Sequence, residues 1–149
     1  MNLRDRLQAD LTASMKAGDA LRRDTLRMAS SAAYNAEKAQ REPLTDEQLT
    51  AVLAREVKTR RESVEAFRAG GREDLAAKEE AEIAILSVYL PEPLSDDAVA
   101  GLVREAIEAT GASGPRDMGK VMGWLSPRTR GRADGRRVSQ LVNEALAGG

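Results

Sequence analysis

The sequence predicts an all-α protein made of two unlike helical bundles with about seven helices. Apolar residues recur with the 3.6-residue period of a helix along almost the whole chain, and no run of alternating β-branched residues is present. Residues that favour the starts and stops of helices separate these periodic segments. The 42% apolar and 32% charged residues are typical of a soluble globular protein.

The first part of the chain contains four predicted helices. The first ends near Gly18, and it carries an apolar residue at every fourth position: Leu3, Leu7, Leu11 and Met15. The second extends from about residue 20 to residue 39, with one face formed by Leu21, Thr25, Met28, Ala32 and Ala36. The third begins at a capping box, in which Thr45 and Gln48 each accept a hydrogen bond from the other's backbone N–H. Residues 70–71, Gly-Gly, end this helix.

The fourth predicted helix ends at Pro91, and Pro91 and Pro93 mark the clearest domain boundary in the sequence. We therefore expect an N-terminal helical bundle over residues 1–93 and a smaller helical domain over residues 94–149. The second domain is near the size at which the stability of an isolated domain becomes marginal.

Three helices are predicted in the C-terminal domain. Ser95 favours the start of the fifth helix and Gly111 its end. Pro115 is well placed to begin a short sixth helix, which we expect to end at residues 126–127, Ser-Pro. Asp134 is suited to be the N-cap of the seventh helix.

The chain contains no His and no Cys. These absences exclude Ser-His-Asp and Cys-His nucleophiles, His-based acid–base catalysis, thiolate redox chemistry and the usual zinc sites. They also make an enzymatic function less expected, although carboxylates, Lys, Ser, Thr and Tyr remain available as catalytic groups. We expect no catalytic residue, no metal and no cofactor.

The first 20 residues are charged, without the apolar segment of a signal peptide. The longest nearly apolar run, residues 83–90, is much shorter than the roughly 20 residues that span a bilayer. We therefore expect a cytoplasmic protein with no membrane partner, and we favour a monomer.

Two charged residues interrupt apolar stripes. Arg60 lies in register with the apolar stripe of the third helix, and Glu79 interrupts the stripe of the fourth. A turn at residues 70–71 brings Arg60 level with Glu79 and Glu82. We predict a structural salt bridge here, because a buried guanidinium needs a carboxylate acceptor. The alternative is a carboxylate cluster of Glu79, Glu80 and Glu82 for metal or acid–base chemistry, but comparable diiron bundles also use histidine.

The segment from residue 116 to residue 137 has a net charge of +5, whereas the whole chain has a net charge of −1. Arginine outnumbers lysine six to one in this segment, and arginine can bind phosphate through two nitrogens and stack on bases. We identify six candidate RNA contacts: Lys120, Arg128, Arg130, Arg132, Arg136 and Arg137. Gly131 would let the backbone approach a ligand closely. The alternative is a solvated, Arg-rich loop, with Trp124 as a core residue.

Two motifs in this segment resemble the GatB/YqeY family. Residues 117–123, Asp-Met-Gly-Lys-Val-Met-Gly, are followed by residues 130–135, Arg-Gly-Arg-Ala-Asp-Gly. The pattern is similar to the tail domain of the B subunit of the glutamine-dependent aspartyl/glutamyl-tRNA amidotransferase. The resemblance extends upstream to residues 89–91, 57–61 and 25–28, so it covers essentially the whole chain in the stand-alone YqeY form.

The resemblance implies an all-helical protein of two unlike bundles. In the amidotransferase, the tail domain holds tRNA, while the chemistry belongs to other domains and to another subunit. The positions that match RNA contacts are Lys120, Arg130 and Arg132, and the charge argument adds Arg128, Arg136 and Arg137. Four further residues belong to the structural motif: Gly119, Gly123, Gly131 and Asp134. Gly119 and Gly123 would allow close packing of helices or close approach of RNA.

These observations lead to three hypotheses about function. The first is a tRNA-binding accessory module without catalytic machinery, with subunits of the tRNA amidotransferase as further candidate partners. A label of carbon–nitrogen ligase activity would derive from the amidotransferase, because the residues of this chain do not support catalysis on their own. The second is a protein–protein adaptor that uses Ala29, Ala33 and Tyr34 on the second helix. The third is an autonomous enzyme acting through Glu79 and Glu82.

Overall fold

Seven α-helices and one short 3-10 helix form the protein, in a computed structural model that describes residues 1–148. No strand is present within these residues, so the predicted all-α fold is confirmed. The 3-10 helix, Pro115–Asp117, directly precedes α6. The α-helices are α1 (Leu3–Ala17), α2 (Ala20–Gln40), α3 (Asp46–Ala69), α4 (Glu73–Ser87), α5 (Asp96–Thr110), α6 (Met118–Thr129) and α7 (Gly135–Gly148).

The helix ends follow local capping chemistry. The predicted capping box of α3 is confirmed: Gln48 N donates to Thr45 Oγ1 over 3.1 Å, and Thr45 N donates to Gln48 Oε1 over 3.0 Å. Ser95 Oγ caps α5 by accepting from the Ala98 N–H, without a reciprocal side-chain bond because the third helical residue is alanine. Gly111, which ends α5, has a φ of 69°, a left-handed conformation that glycine adopts without strain.

The predicted stop of the sixth helix at residues 126–127 is wrong. The helix continues through Pro127 to Thr129. Pro127 lies only two residues before the end of α6, so its missing N–H removes a single hydrogen bond, to the Gly123 carbonyl. The last turn still closes, because Arg130 N donates to the Ser126 carbonyl over 3.0 Å.

The chain divides into two compact units, Met1–Leu90 and Pro91–Gly149. The N-terminal unit contains α1 to α4, and its core is almost entirely aliphatic. Buried residues of this core are Leu3, Leu7, Leu11, Leu26, Ala29, Ala33, Leu49, Leu53, Val57, Leu86 and Tyr89. No helix within residues 1–148 combines the length and apolarity that crossing a membrane requires.

The inner face of α2 differs from the predicted stripe. Leu26, Ala29 and Ala33 are fully buried, whereas Met28, which we expected on the inner face, is 52% exposed. Alanine lets the helix pack closely against its neighbours, so the two alanines direct this face inward. Thr25 shares the buried face because its hydroxyl donates to the Leu21 carbonyl over 2.8 Å.

The segment after α4 is fixed to the N-terminal bundle by Tyr89. Its hydroxyl donates to the Asp10 carboxylate of α1, and the Arg6 guanidinium lies 5.2 Å from the centre of its ring. Burial, reinforced by the Asp10 carboxylate, raises the pKa of Tyr89 to about 12. These contacts hold the chain against α1 immediately before the division between the two units.

The C-terminal unit packs α5, α6 and α7 around a second core. This core uses valine and leucine from all three helices: Val99, Val103, Ala106, Val121, Leu125, Val138, Val142 and Leu146. Trp124 is partly buried and packs against this core, as expected for a core residue. On α6, the residues that face the core are Val121, Leu125 and Thr129, at four-residue spacing.

Candidate nucleic-acid interface

The solvent face of α6 is defined by the helical period. Because successive residues are rotated by about 100°, Gly119, Gly123 and Pro127 lie opposite the buried Val121 and Leu125. All three are exposed. A Cβ atom added at Gly119 or Gly123 would have no neighbouring heavy atom within 4 Å. The two glycines are therefore not required by close packing of helices within this unit, which was one of the two roles expected for them.

Lys120 lies beside this glycine face, and Arg128 lies further round the helix, with Trp124 midway between the two at four-residue steps. The Lys120 side chain is 70% exposed, and its Nζ lies 3.8 Å from Oδ1 of Asp117. The Arg128 guanidinium carbon lies 3.6 Å from the centre of the Trp124 ring, and Nη1 donates to the Trp124 carbonyl over 2.6 Å. Stacking holds the guanidinium in place while the residue remains exposed, so its charge is presented to solvent.

The loop between α6 and α7 contains two predicted RNA contacts in very different surroundings. Arg130 is exposed, and its side chain has no hydrogen-bond or ion-pair partner within residues 1–148. Arg132 is half-buried, and its Nε donates to the Glu92 carbonyl over 3.1 Å. The Arg132 carbonyl in turn accepts from Leu94 N over 2.7 Å. Arg132 therefore ties the loop to the segment before α5, whereas Arg130 is available to a ligand.

Gly131 lies between these two arginines and has a φ of 75°. Residues with a Cβ atom rarely adopt this left-handed conformation, so the turn itself requires glycine. The backbone conformation of this turn therefore accounts for the glycine without any ligand.

The first turn of α7 contains the remaining predicted contacts. Arg137 donates to Oδ2 of Asp96 through Nη2 and Nε, at 2.9 and 3.2 Å, and Nη1 donates to Gln140. The hydrogen bond from Arg137 lowers the pKa of the Asp96 carboxyl. Arg136 is exposed and takes part in interactions of its own. Arg137 therefore joins α7 to the start of α5, and part of its charge is neutralised internally.

Asp134 occupies the N-terminus of α7. Its Oδ1 accepts a hydrogen bond from the backbone N–H of Arg136 over 3.0 Å, and its carbonyl accepts from Val138 N. The carboxylate satisfies a free backbone donor of the first turn and lies at the positive end of the helix dipole. An external anion would have to compete with Asp134 at this helix end.

The charged residues that interrupt the apolar stripes of α3 and α4 lie in the N-terminal unit. Arg60 Nε lies 3.7 Å from Oε2 of Glu82, and the two residues are only 5% and 7% exposed. Glu79 lies close enough to Glu82 to affect its ionisation. Burial, followed by the charge of Glu79, raises the pKa of Glu82 against the opposing charge of Arg60. Glu80 does not join this pair. Its Oε1 lies 2.7 Å from Nη2 of Arg68.

This geometry does not favour the enzyme hypothesis. An acid–base site requires carboxylates that a substrate can reach, but Glu82 is buried and Arg60 faces it. No three acidic side chains within residues 1–148 are grouped so that they could hold a metal ion. The adaptor hypothesis loses two of its three residues, because Ala29 and Ala33 are fully buried in the N-terminal core.

Sequence reasoning missed the internal partners of the basic residues. Nothing in the local sequence indicates that Glu92 accepts from Arg132 or that Asp96 pairs with Arg137, because each pair is separated by about 40 residues. The stacking of Arg128 on Trp124 had a detectable signal, since four-residue spacing places two side chains together on a helix. The expected helix end at Pro127 concealed it.

Comparison with known proteins identifies the family. Residues 4–146 match the family described as Yqey-like protein, YqeY. The chain is 33% identical over 144 residues to Altered inheritance of mitochondria protein 41, mitochondrial, of Pyrenophora tritici-repentis, covering 95% of this chain and 79% of that protein. A protein of the same name from Lachancea thermotolerans is 30% identical over 143 residues, covering 91% and 76%. An uncharacterized protein of Schizosaccharomyces pombe is 35% identical over 95 residues, covering 64% and 77%. The chain belongs to the YqeY-like protein family.

Proposed function

We propose that this protein is an accessory module that binds folded RNA of the tRNA class through its C-terminal unit and has no catalytic machinery of its own. The observation that carries the proposal is the outer side of α6 and the following loop, where exposed cations adjoin two exposed helix glycines. We call this surface the α6 face and define it by Gly119, Lys120, Gly123, Arg128 and Arg130.

The chemistry of the α6 face suits a phosphate backbone. Lys120, Arg128 and Arg130 are exposed, and phosphate contacts supply most of the affinity in non-specific nucleic-acid binding. Without side chains at Gly119 and Gly123, a sugar–phosphate chain could approach the helix backbone beside Lys120. Arg136, at the start of α7, is a further exposed cation that we include in the proposed contact set.

The kind of RNA is inferred from the resemblance between residues 117–135 and the tail of a tRNA amidotransferase. Association with subunits of that enzyme is a second part of the proposal and rests on the same resemblance. Two of the relatives have names that refer to mitochondria, and those names describe the relatives alone.

The test is binding of the full chain to folded tRNA between about 50 and 200 mM salt. Four phosphate contacts should make the affinity fall roughly 100-fold across this range, since each neutralised phosphate releases counterions. The variant is Lys120→Glu/Arg130→Glu/Arg136→Glu, which leaves Arg132 and Arg137 to their internal partners.

The matched control is Arg55→Glu/Lys58→Glu/Arg61→Glu on α3, which changes the net charge by the same amount at three exposed positions of the other unit. We expect the variant Lys120→Glu/Arg130→Glu/Arg136→Glu to lose tRNA binding and the control to retain most of it, with the helicity of both intact. Equal loss in both variants would reveal a non-local charge effect. Absence of binding by the wild-type protein at the lowest salt would refute the proposal.

A further inference from the structure

A groove of about 590 Å³ lies against α1 and α2 in the N-terminal unit. It is lined by Leu11, Arg27, Ser30, Ser31, Tyr34 and Asn35. The groove is open to solvent, so a ligand would lie along its surface and not inside an enclosed cavity. The groove shares no residue with the α6 face, so it could bind a ligand of its own.

The lining combines one aromatic ring, one cation and several neutral hydrogen-bonding groups, without a carboxylate among the described residues. Tyr34 is 62% exposed, the largest exposure among the four aromatic residues of the chain. An open aromatic ring is a platform on which a planar base can stack. Asn35 also lines the groove, and its amide offers both a donor and an acceptor to such a base.

Arg27 supplies the charge at the other end of the groove. Its Nη2 contacts the Met15 sulfur at 3.4 Å, which is a weak acceptor. The nearby Asp24 carboxylate feels the charge of Arg27, but its hydrogen bond comes from Arg23 Nε over 2.9 Å. The Arg27 guanidinium therefore has no carboxylate hydrogen-bonded to it within residues 1–148. It can donate hydrogen bonds to an anionic group of a ligand.

The helical period arranges these groups in order along α2. Arg27 and Tyr34 are seven residues apart, which places them on one face of the helix about 10 Å apart along its axis. Ser30 and Ser31 lie between them and present hydroxyl groups. The order is therefore cation, hydroxyls, aromatic ring and amide, which matches the phosphate, sugar and base of a nucleotide.

We propose that this groove is a nucleotide-binding site, with the phosphate at Arg27, the sugar along Ser30 and Ser31, and the base on Tyr34. A docked protein helix is the less suitable occupant, because Leu11 is the only aliphatic residue among those that line the groove. The same chemistry is found in a free mononucleotide and in an unpaired nucleotide of RNA. The proposal does not depend on RNA binding at the α6 face.

The test is titration of the isotopically labelled full chain with AMP, followed through backbone amide resonances. We expect shifts at Ser30, Ser31 and Asn35, and weaker shifts with ribose 5-phosphate, which lacks the base. Tyr34→Ala should lower the affinity for AMP by about 5- to 100-fold, as base–aromatic stacking predicts, while Tyr34→Phe retains most of it. Arg27→Gln should weaken AMP more than adenosine, because only AMP carries the phosphate.

The matched control is Lys58→Gln, which removes a cation from an exposed position of α3 outside the groove and should leave the affinity for AMP unchanged. A short single-stranded oligoadenylate distinguishes the two sources: tighter binding than AMP at the same amides indicates an RNA strand, and equal binding a free nucleotide. Failure of millimolar AMP and of the oligoadenylate to shift these amides would overturn the proposal. So would a response there to an amphipathic helical peptide alone. Resonances of the C-terminal unit report RNA binding separately.

Discussion

The Nε atom of Arg60 lies 3.7 Å from Oε2 of Glu82 in a nearly buried pair between α3 and α4. This distance exceeds a normal hydrogen bond, and Nε has no hydrogen-bond partner within residues 1–148. The rest of the guanidinium is held by Nη1, which donates to the Glu56 carbonyl over 3.1 Å, and by Nη2, which lies 3.8 Å from the Met28 sulfur. Arg60 is the cation that faces the Glu82 carboxylate, and its own charge is shared with Glu56, whose Oε2 lies 4.0 Å from Nη1.

Breaking this pair should be costly, whereas replacing both partners should not. Arg60→Met leaves the Glu82 carboxylate buried without its cation, so we expect the free energy of unfolding to fall by about 3 kcal/mol. The double variant Arg60→Met/Glu82→Leu removes both buried charges and should recover most of this loss, because well-packed apolar residues often replace a buried pair at little cost. Urea unfolding followed by far-ultraviolet circular dichroism measures both.

The control for this pair is Arg68→Met on the same helix, which breaks the exposed contacts of Arg68 with Glu73 and Glu80. Exposed pairs contribute little, so this variant should remain close to the wild type. A double variant less stable than Arg60→Met would contradict the expected non-additivity.

The pair also illustrates which features the sequence could predict. Arg60 stood out because its position in the α3 stripe requires burial, and the two-glycine turn determines which part of α4 it meets. The facing of α2 was harder to predict, because alanine is compatible with both the buried and the exposed side of a helix. Met28 therefore looked like a core residue, although Leu26, Ala29 and Ala33 form the inner face.

The candidate RNA contacts were predictable as a set but not one by one. Their number and spacing follow from the sequence, but exposure depends on partners far along the chain. Arg132 and Arg137 are engaged by Glu92 and Asp96 through tertiary contacts that have no local signature. The groove at Arg27 and Tyr34 also depends on how α1 packs beside α2, which periodicity alone does not give.

The raised pKa of Glu82 predicts an unusual dependence of stability on pH. A carboxyl whose pKa is raised on folding binds its proton more tightly in the native state than in the unfolded state. Its contribution therefore favours folding below the pKa of the unfolded chain and is lost as the pH rises through the pKa of the folded state. Glu82→Gln removes this titration.

We therefore expect the stability of the wild type, relative to Glu82→Gln, to decline as the pH rises from about 4 towards neutrality. The part of the difference in unfolding free energy that does not change with pH measures the lost contact with Arg60. The part that changes with pH measures the uptake of a proton by Glu82. Unfolding in urea at several pH values measures both quantities. A rising relative stability of the wild type would mean that Arg60, rather than burial and Glu79, dominates the ionisation of Glu82.

Arg130 and Arg132 are expected to differ in what their loss affects. Arg132→Ala removes the hydrogen bond to the Glu92 carbonyl, so it should lower the stability of the C-terminal unit by about 1 kcal/mol. Arg130→Ala should leave stability unchanged and weaken tRNA binding instead. The single Trp124 packs in the C-terminal core, so its fluorescence in urea reports the unfolding of this unit. Equal effects of the two substitutions on stability would show that their surroundings do not differ in solution.

The glycines of the α6 face separate stability from binding. Glycine inside a helix is less favourable than alanine by about 0.5–1 kcal/mol, and a Cβ at Gly123 meets nothing within 4 Å. Gly123→Ala should therefore stabilise the C-terminal unit by roughly this amount, as measured by Trp124 fluorescence in urea. Binding of tRNA should weaken from Gly through Ala to Leu at this position, because each larger side chain keeps the RNA further from the helix.

Gly101, in α5, provides the matched control for this prediction. A Cβ there would lie 3.7 Å from an Arg104 nitrogen, an ordinary contact, so Gly101→Ala should also stabilise its helix. It lies outside the α6 face and should leave tRNA affinity unchanged. If Gly123→Ala raised stability without weakening tRNA binding, and Gly123→Leu also bound normally, RNA would not approach the helix at this position. RNA would then have to contact the exposed arginines that follow α6, because their charges do not depend on the absence of a side chain at Gly123.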